Sequence, residues 1–180
     1  DEANGTIVKL EHRKLGIDLI SEPRLAGNFR LLVPLAEWRG HYIQGHEQKL
    51  RECRRTASGA ELSWGPLVSR SGNFDIDFTL QIVIDGDDVS FSYSIDNRSG
   101  ALVEEVVTPM LGGLANEAEN EDWRFHHTDM VGKGQEWRFY KDFPGSYLGP
   151  AKPVWFEPYP HKTVLPWVDI YNPKTRVGFS

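Results

Sequence analysis

Between Phe74 and Asp85 the chain reads FDIDFTLQIVID, with Phe74, Ile76, Phe78, Leu80, Ile82 and Ile84 at every second position. Asp75, Asp77, Thr79 and Gln81 fall between them. Side chains alternate across a strand with a period of two, so this run predicts a long strand with one face in a core and the other in water. Asp85-Gly86-Asp87-Asp88 follows, and VSFSYSID then repeats the alternation with Val89, Phe91, Tyr93 and Ile95 inward and Ser90, Ser92 and Ser94 outward. Two such runs around a glycine-containing turn predict an antiparallel hairpin.

Shorter strand signals flank it. Thr6–Glu11 and Gly16–Ile20, separated by His12-Arg13-Lys14, predict a small hairpin at the start of the chain. Asn28–Leu35, Gln48–Arg55, Glu61–Trp64, Val103–Pro109 and Val164–Tyr171 read as further strands. Leu114–Asp122 is dense in acids and fits a short helix start or a solvated loop equally. Seven of the 11 prolines lie between Phe143 and Pro173, interleaved with aromatic rings. Proline at that density interrupts strand ladders, so Phe143–Lys162 is predicted to be a long loop. Many strands, 17 glycines and no segment with sustained helical periodicity predict an all-β fold. The expected form is an antiparallel β-sandwich with long aromatic and proline-rich loops, formed by residues 1–180 as a single domain.

Composition narrows the function classes. Twenty Lys and Arg against 26 Asp and Glu leave a net charge of −6, spread evenly along the chain. No basic face is concentrated enough to neutralise a phosphate backbone, which argues against nucleic acid as a partner. The apolar runs near Leu31–Ala36 and Leu80–Ile84 fall far short of the roughly 20 residues of a membrane-spanning helix. The lone Cys53 excludes an internal disulfide and a multi-cysteine zinc site. It fits a cytoplasmic protein and a periplasmic one without disulfides alike. No apolar leader stands at Asp1, as expected of a protein that never had a signal peptide or has lost it.

Chemistry-bearing clusters are few. His126-His127-Thr128-Asp129 gathers two imidazoles and a carboxylate, but neighbours in a strand point to opposite faces and do not share a metal without a bend. His41 and His46 sit in a glycine-punctuated stretch that reads as a loop. Glu104 and Glu105 diverge across a strand, one toward a basic neighbour, and Asp87-Asp88 is turn chemistry. Cys53, beside Arg51, Arg54 and Arg55, reads as a half-buried strand cysteine. No phosphate-binding glycine loop, nucleophile elbow or HExxH occurs. No catalytic residue, metal site or cofactor is therefore expected.

Aromatic rings carry the remaining signal. Trp123, Trp137, Trp155 and Trp167 crowd the last third together with several Phe and Tyr. Flat rings beside polar side chains suit stacking on pyranose sugars, or the centre of an interface with another domain. The candidate carbohydrate-binding residues are Trp123, His126, Trp137, Trp155, Trp167 and Asp169.

Three passages, in order, resemble a known family. NGTIVKLEHRKLGIDLISE (Asn4–Glu22) is similar to the hairpin that begins many large glycoside hydrolases. VEEVVTPMLGGL (Val103–Leu114), after the long hairpin, resembles a passage of galactose-mutarotase-like supersandwich domains. LPWVDIYNPKTRVGFS (Leu165–Ser180) resembles the stretch by which such domains approach a (β/α)8 barrel. The resemblance implies a supersandwich domain N-terminal to a catalytic barrel of the same polypeptide. It would support the barrel without catalysing, lend loop residues to a carbohydrate site, and favour a periplasmic or extracellular setting in a bacterium. Two alternatives are a stand-alone carbohydrate-binding module and an aldose mutarotase or epimerase. The His and Glu of the mutarotases have no matched positions in this sequence.

Overall fold

A computed structural model describes residues 1–114, 123–129, 134–138 and 163–179. The strands are β1 (Glu11–His12), β2 (Ile17–Asp18), β3 (Ile20–Glu22), β4 (Asn28–Leu32), β5 (Tyr42–Gln44) and β6 (Glu52–Thr56). They continue with β7 (Gly59–Trp64), β8 (Leu67–Ser69), β9 (Gly72–Phe74), β10 (Ile76–Asp85), β11 (Asp88–Asn97) and β12 (Glu105–Met110). Last come β13 (Gly113–Leu114), β14 (Arg124–Asp129), β15 (Gly134–Arg138), β16 (Thr163–Asn172) and β17 (Val177–Phe179). Two short 3-10 turns, Pro23–Leu25 and Gly45–Glu47, are the helical elements among the described residues. The fold is all-β and its strand pairs are antiparallel. Trp155, the predicted Phe143–Lys162 loop and 115–122 lie outside the described residues.

The chain divides into two compact units, Asp1–Ala115 and Asn116–Ser180. In the first, β11-β10-β7-β6 form a four-stranded sheet and β12-β4-β5 a three-stranded one. The pairs β1-β2, β3-β13 and β8-β9 complete it. The predicted hairpin is present as β10 and β11 in continuous register, from Ile76↔Asn97 to Asp85↔Asp88. Gly86, at φ 63°, supplies the left-handed residue that a two-residue hairpin turn requires.

One core draws on both large sheets: Phe29, Leu31, Val33 and Ile43 from the β4-β5 side, and Leu62, Trp64, Ile76, Phe78 and Leu80 from the β7-β10 side. Phe29 stacks on Phe78 with ring centroids 3.9 Å apart and meets Trp64 edge-on at 5.2 Å. Each such side chain, fully removed from water, contributes roughly 1.5–3 kcal/mol.

Two departures from the predicted strands have local causes. The alternating run begins at Ile76, not Phe74, because Phe74 pairs with Leu67 in the β8-β9 hairpin. The carbonyl of Asp75, between the two strands, accepts the Arg98 N–H at 2.8 Å. The strand expected from Gln48 begins at Glu52. Gln48 instead is buried and stitches loops together by its side chain. Its amide donates to the carbonyls of Gln44 and Val68 and accepts the Val68 N–H, all within 2.8–2.9 Å.

Charges line the outer face. Arg98 bridges Asp75, Asp77 and Asp96, and Arg51 reaches Asp77 at 3.0 Å. Burial pushes the Asp77 carboxyl upward, but the hydrogen bonds from Arg51 and Arg98 outweigh it and hold the group below its ordinary 3.8. A carboxylate with a depressed folded-state value stabilises above its unfolded value and loses that contribution as pH falls toward the folded one. Acid unfolding followed by circular dichroism is expected to show wild type losing stability more steeply below about pH 4 than Asp77→Asn. Parallel acid limbs for the two proteins would remove Asp77 from this role.

Candidate functional site

The second unit contains the sheet β15-β14-β16-β17. Residues directly opposite on neighbouring strands share a face. His126 in β14 is registered with Glu136 of β15 on one side and Asp169 of β16 on the other. Arg124, two residues earlier, is registered with Arg138 and Tyr171. Alternation puts Arg124 and His126 on one side of β14, opposite Tyr171 and Asp169 of β16.

Beside this row lies an open groove of about 380 Å³, lined by Asp169, Tyr171, Asn172, Pro173, Arg176, Val177 and Gly178. Its end is shaped by the β16–β17 turn. Asn172, 1% exposed, accepts the N–H groups of Lys174 and Thr175 at 3.0 and 3.2 Å through its side-chain oxygen. Arg176 takes the left-handed conformation, φ 60°, and closes the turn by donating its N–H to the Asn172 carbonyl at 2.8 Å. Gly178 keeps the floor open, since a Cβ there would stand 3.1 Å from the Tyr171 Cβ and 3.4 Å from Asp169 Oδ1.

Asp169 is the electrostatically unusual member. Burial raises its carboxyl above the ordinary value, and the charge of His126 pulls the other way. A raised carboxylate works against the folded state as pH rises through its folded-state value. Titratable groups held at such a cost concentrate at functional sites.

The structure therefore brings together two of the six sequence candidates, His126 and Asp169. Trp123 is 4% exposed and packs as an interior residue. Trp137 is registered with Phe125 across β14 and β15. Trp167 lies in β16, two residues before Asp169. Arg176 and Gly178 were not singled out, because a turn arginine and a strand glycine acquire meaning only once β16 and β17 are folded together.

Other sequence candidates resolve individually. Cys53 lies on a strand as expected but is exposed, since β6 is an edge strand whose residues all face solvent. Glu105 does meet a basic neighbour, Arg30, at 3.3 Å. The guanidinium of Arg30 also lies 4.5 Å over the Tyr42 ring. His46 is exposed, whereas His41 is fully buried. Among the described residues, no three His, Cys, Asp or Glu side chains converge as a metal-ligand set, and no helix is long and apolar enough to cross a membrane.

No family model matches the chain, and no curated protein or solved structure matches it. The likeness to galactose-mutarotase-like domains therefore rests on the three passages quoted above.

Proposed function

We propose that this chain is a non-catalytic β-sandwich module of a glycoside-hydrolase-like protein that binds carbohydrate along the β16–β17 groove. The galactose-mutarotase-like passages and the single core shared by two sheets support the sandwich reading. A catalytic barrel of the same polypeptide is the partner that this reading implies.

The observation that carries the carbohydrate assignment is the groove itself, which combines one aromatic ring, Tyr171, with Asp169 and Arg176 along an open floor. A pyranose offers an apolar C–H face and a rim of hydroxyls. A tyrosine ring suits the face, a carboxylate accepts two hydroxyl donors, and a guanidinium donates to hydroxyl oxygens. A groove open on one side admits a chain of sugars, where an enclosed cavity admits a single ring.

Asp169→Asn provides the test. At neutral pH the variant is expected to be slightly more stable than wild type, because the neutral amide escapes the desolvation that raises the Asp169 carboxyl. Its affinity for a glycan bound by wild type on a glycan array is expected to fall at least about tenfold, equivalent to roughly 1.4 kcal/mol. Gly178→Val, which fills the floor, is expected to lose binding as well. Wild-type affinity in both variants would rule the groove out.

A second reading, proton transfer at a sugar's anomeric carbon, is favoured by the registration of His126 with a carboxyl raised by burial. NMR exchange between glucose or galactose anomers separates the two. Exchange accelerated by the protein and abolished in His126→Ala would replace the binding module with an enzyme.

A further inference from the structure

Trp38 stands outside the aromatic cluster in the last third of the sequence, yet its indole faces water. It is 46% exposed, against 0% for Trp64 and 4% for Trp123. An indole left this open in a short loop is ordinarily mobile, but this one is anchored from two directions. Its backbone N–H and carbonyl both bond to Leu35, each at 3.1 Å, closing the turn that carries it. Its ring packs edge-on to His41, with centroids 5.1 Å apart and planes at 65°.

His41 is a rigid support. It is fully buried, and both ring nitrogens are engaged, Nδ1 with the Val33 carbonyl at 2.8 Å and Nε2 with Ser69 Oγ at 2.9 Å. A carbonyl only accepts, so Nδ1 donates to it, while Nε2 pairs with the Ser69 hydroxyl. The Ser69 oxygen in turn accepts the Ser71 N–H at 3.0 Å. Phe74 backs the imidazole at 5.4 Å. Both imidazole nitrogens and the Ser69 hydroxyl are engaged, so the imidazole holds one orientation and the indole packed against it is preorganised.

The surroundings select a ligand. Glu37 and Arg39, both exposed, flank Trp38 in the chain, and the exposed Arg70 follows Ser69. Gly40 carries no side chain over the indole nitrogen, and a Cβ there would stand 3.9 Å away. Among the described residues, nothing accepts the indole N–H. A protein interface of standard size needs roughly 800 Å² per partner with several apolar anchors. A single ring rimmed by charges, with an unused donor at its edge, fits a ligand one hexose wide. We propose that Trp38 is a second sugar-stacking platform, taking the C–H face of a neutral pyranose, with the indole N–H, Glu37 and Arg39 available to its hydroxyls.

This inference rests on the carbohydrate-binding reading, and the experiment separates the two. The full chain is titrated with neutral hexasaccharides of glucose, of galactose and of mannose. Indole N–H resonances are followed by NMR, that of Trp38 being assigned by its absence from Trp38→Phe. At least one hexasaccharide is expected to shift the Trp38 resonance. Trp38→Ala is expected to weaken its binding at least about tenfold, and Trp38→Phe, which keeps a flat ring, about threefold or less. Unchanged thermal unfolding of Trp38→Ala checks that the fold is intact. Binding that is lost in Asp169→Asn but unaffected by Trp38→Ala, with the Trp38 resonance unmoved, overturns this platform and leaves the groove standing. A wild-type chain that binds none of the three overturns both.

Discussion

Phe78→Ala is expected to lower the free energy of unfolding by about 3–5 kcal/mol. Phe78 is fully buried, stacked on Phe29 at 3.9 Å and packed against Trp64 at 6.1 Å. Truncation removes the transfer contribution of the ring and leaves a cavity lined by residues from both large sheets. Those residues belong to paired strands and collapse into the space only partly. Ile84→Ala is the informative control. It lies on the same face of β10 by alternation, yet it is 54% exposed, so its loss is expected to stay near 0.5 kcal/mol. Urea unfolding, with amide exchange of β10 to localise the effect, measures both. Equal losses at the two sites would overturn the division of this strand into a buried half and an open half.

Asn28→Ala is expected to cost about 2–6 kcal/mol, for reasons that involve no apolar packing. Asn28 is fully buried in the left-handed conformation at φ 56°. Its side-chain oxygen accepts the Ile7 N–H at 3.1 Å, and its amide donates to the Gly5 carbonyl at 2.7 Å. Alanine leaves both backbone groups without these bonds, at roughly 1–3 kcal/mol each where they are shielded from water. Like asparagine, alanine keeps a Cβ in a conformation that costs about 1–2 kcal/mol. Asn28→Gly loses the same two hydrogen bonds and escapes that conformational cost. Glycine is therefore expected to be the less damaging substitution by about 1 kcal/mol, a reversal of their usual order in regular structure. Thermal unfolding of the two variants decides it. Alanine more stable than glycine would show that the left-handed backbone contributes nothing at this position.

Much of the fold was legible before any coordinates. The β10–β11 hairpin and its turn follow from a period of two, and so does most of its inward set, but Ile84 and Tyr93, expected to face inward, are 54% and 51% exposed. Most of the shorter strands were anticipated, with ends displaced by a few residues where a side chain such as Gln48 replaces a ladder. The strands β5, β8, β13, β14, β15 and β17 were not anticipated. They are short or polar, and their apolar residues are too few to show a period.

The site was less legible. His126 and Asp169 were chosen separately for their chemistry, 43 positions apart, and only the registration of β14 with β16 makes them neighbours. Trp38 was passed over because an isolated tryptophan has no pattern. Its significance lies in exposure and in a buried histidine held by Val33 and Ser69, and neither can be computed from neighbours in the chain.

The amino-acid sequence by itself determined the class of this protein: antiparallel strands with one wet face, a mildly acidic surface, and no disulfide framework or phosphate-binding loop. These are properties of local periodicity and composition, set residue by residue. Tertiary structure alone decided how far along β10 burial extends, which polar residues the core encloses, and that Trp38 and Tyr93 are presented to solvent. Burial and hydrogen-bond satisfaction depend on what lies across a core or on the next strand. Those partners are brought close by folding, and no pattern of adjacent residues records them.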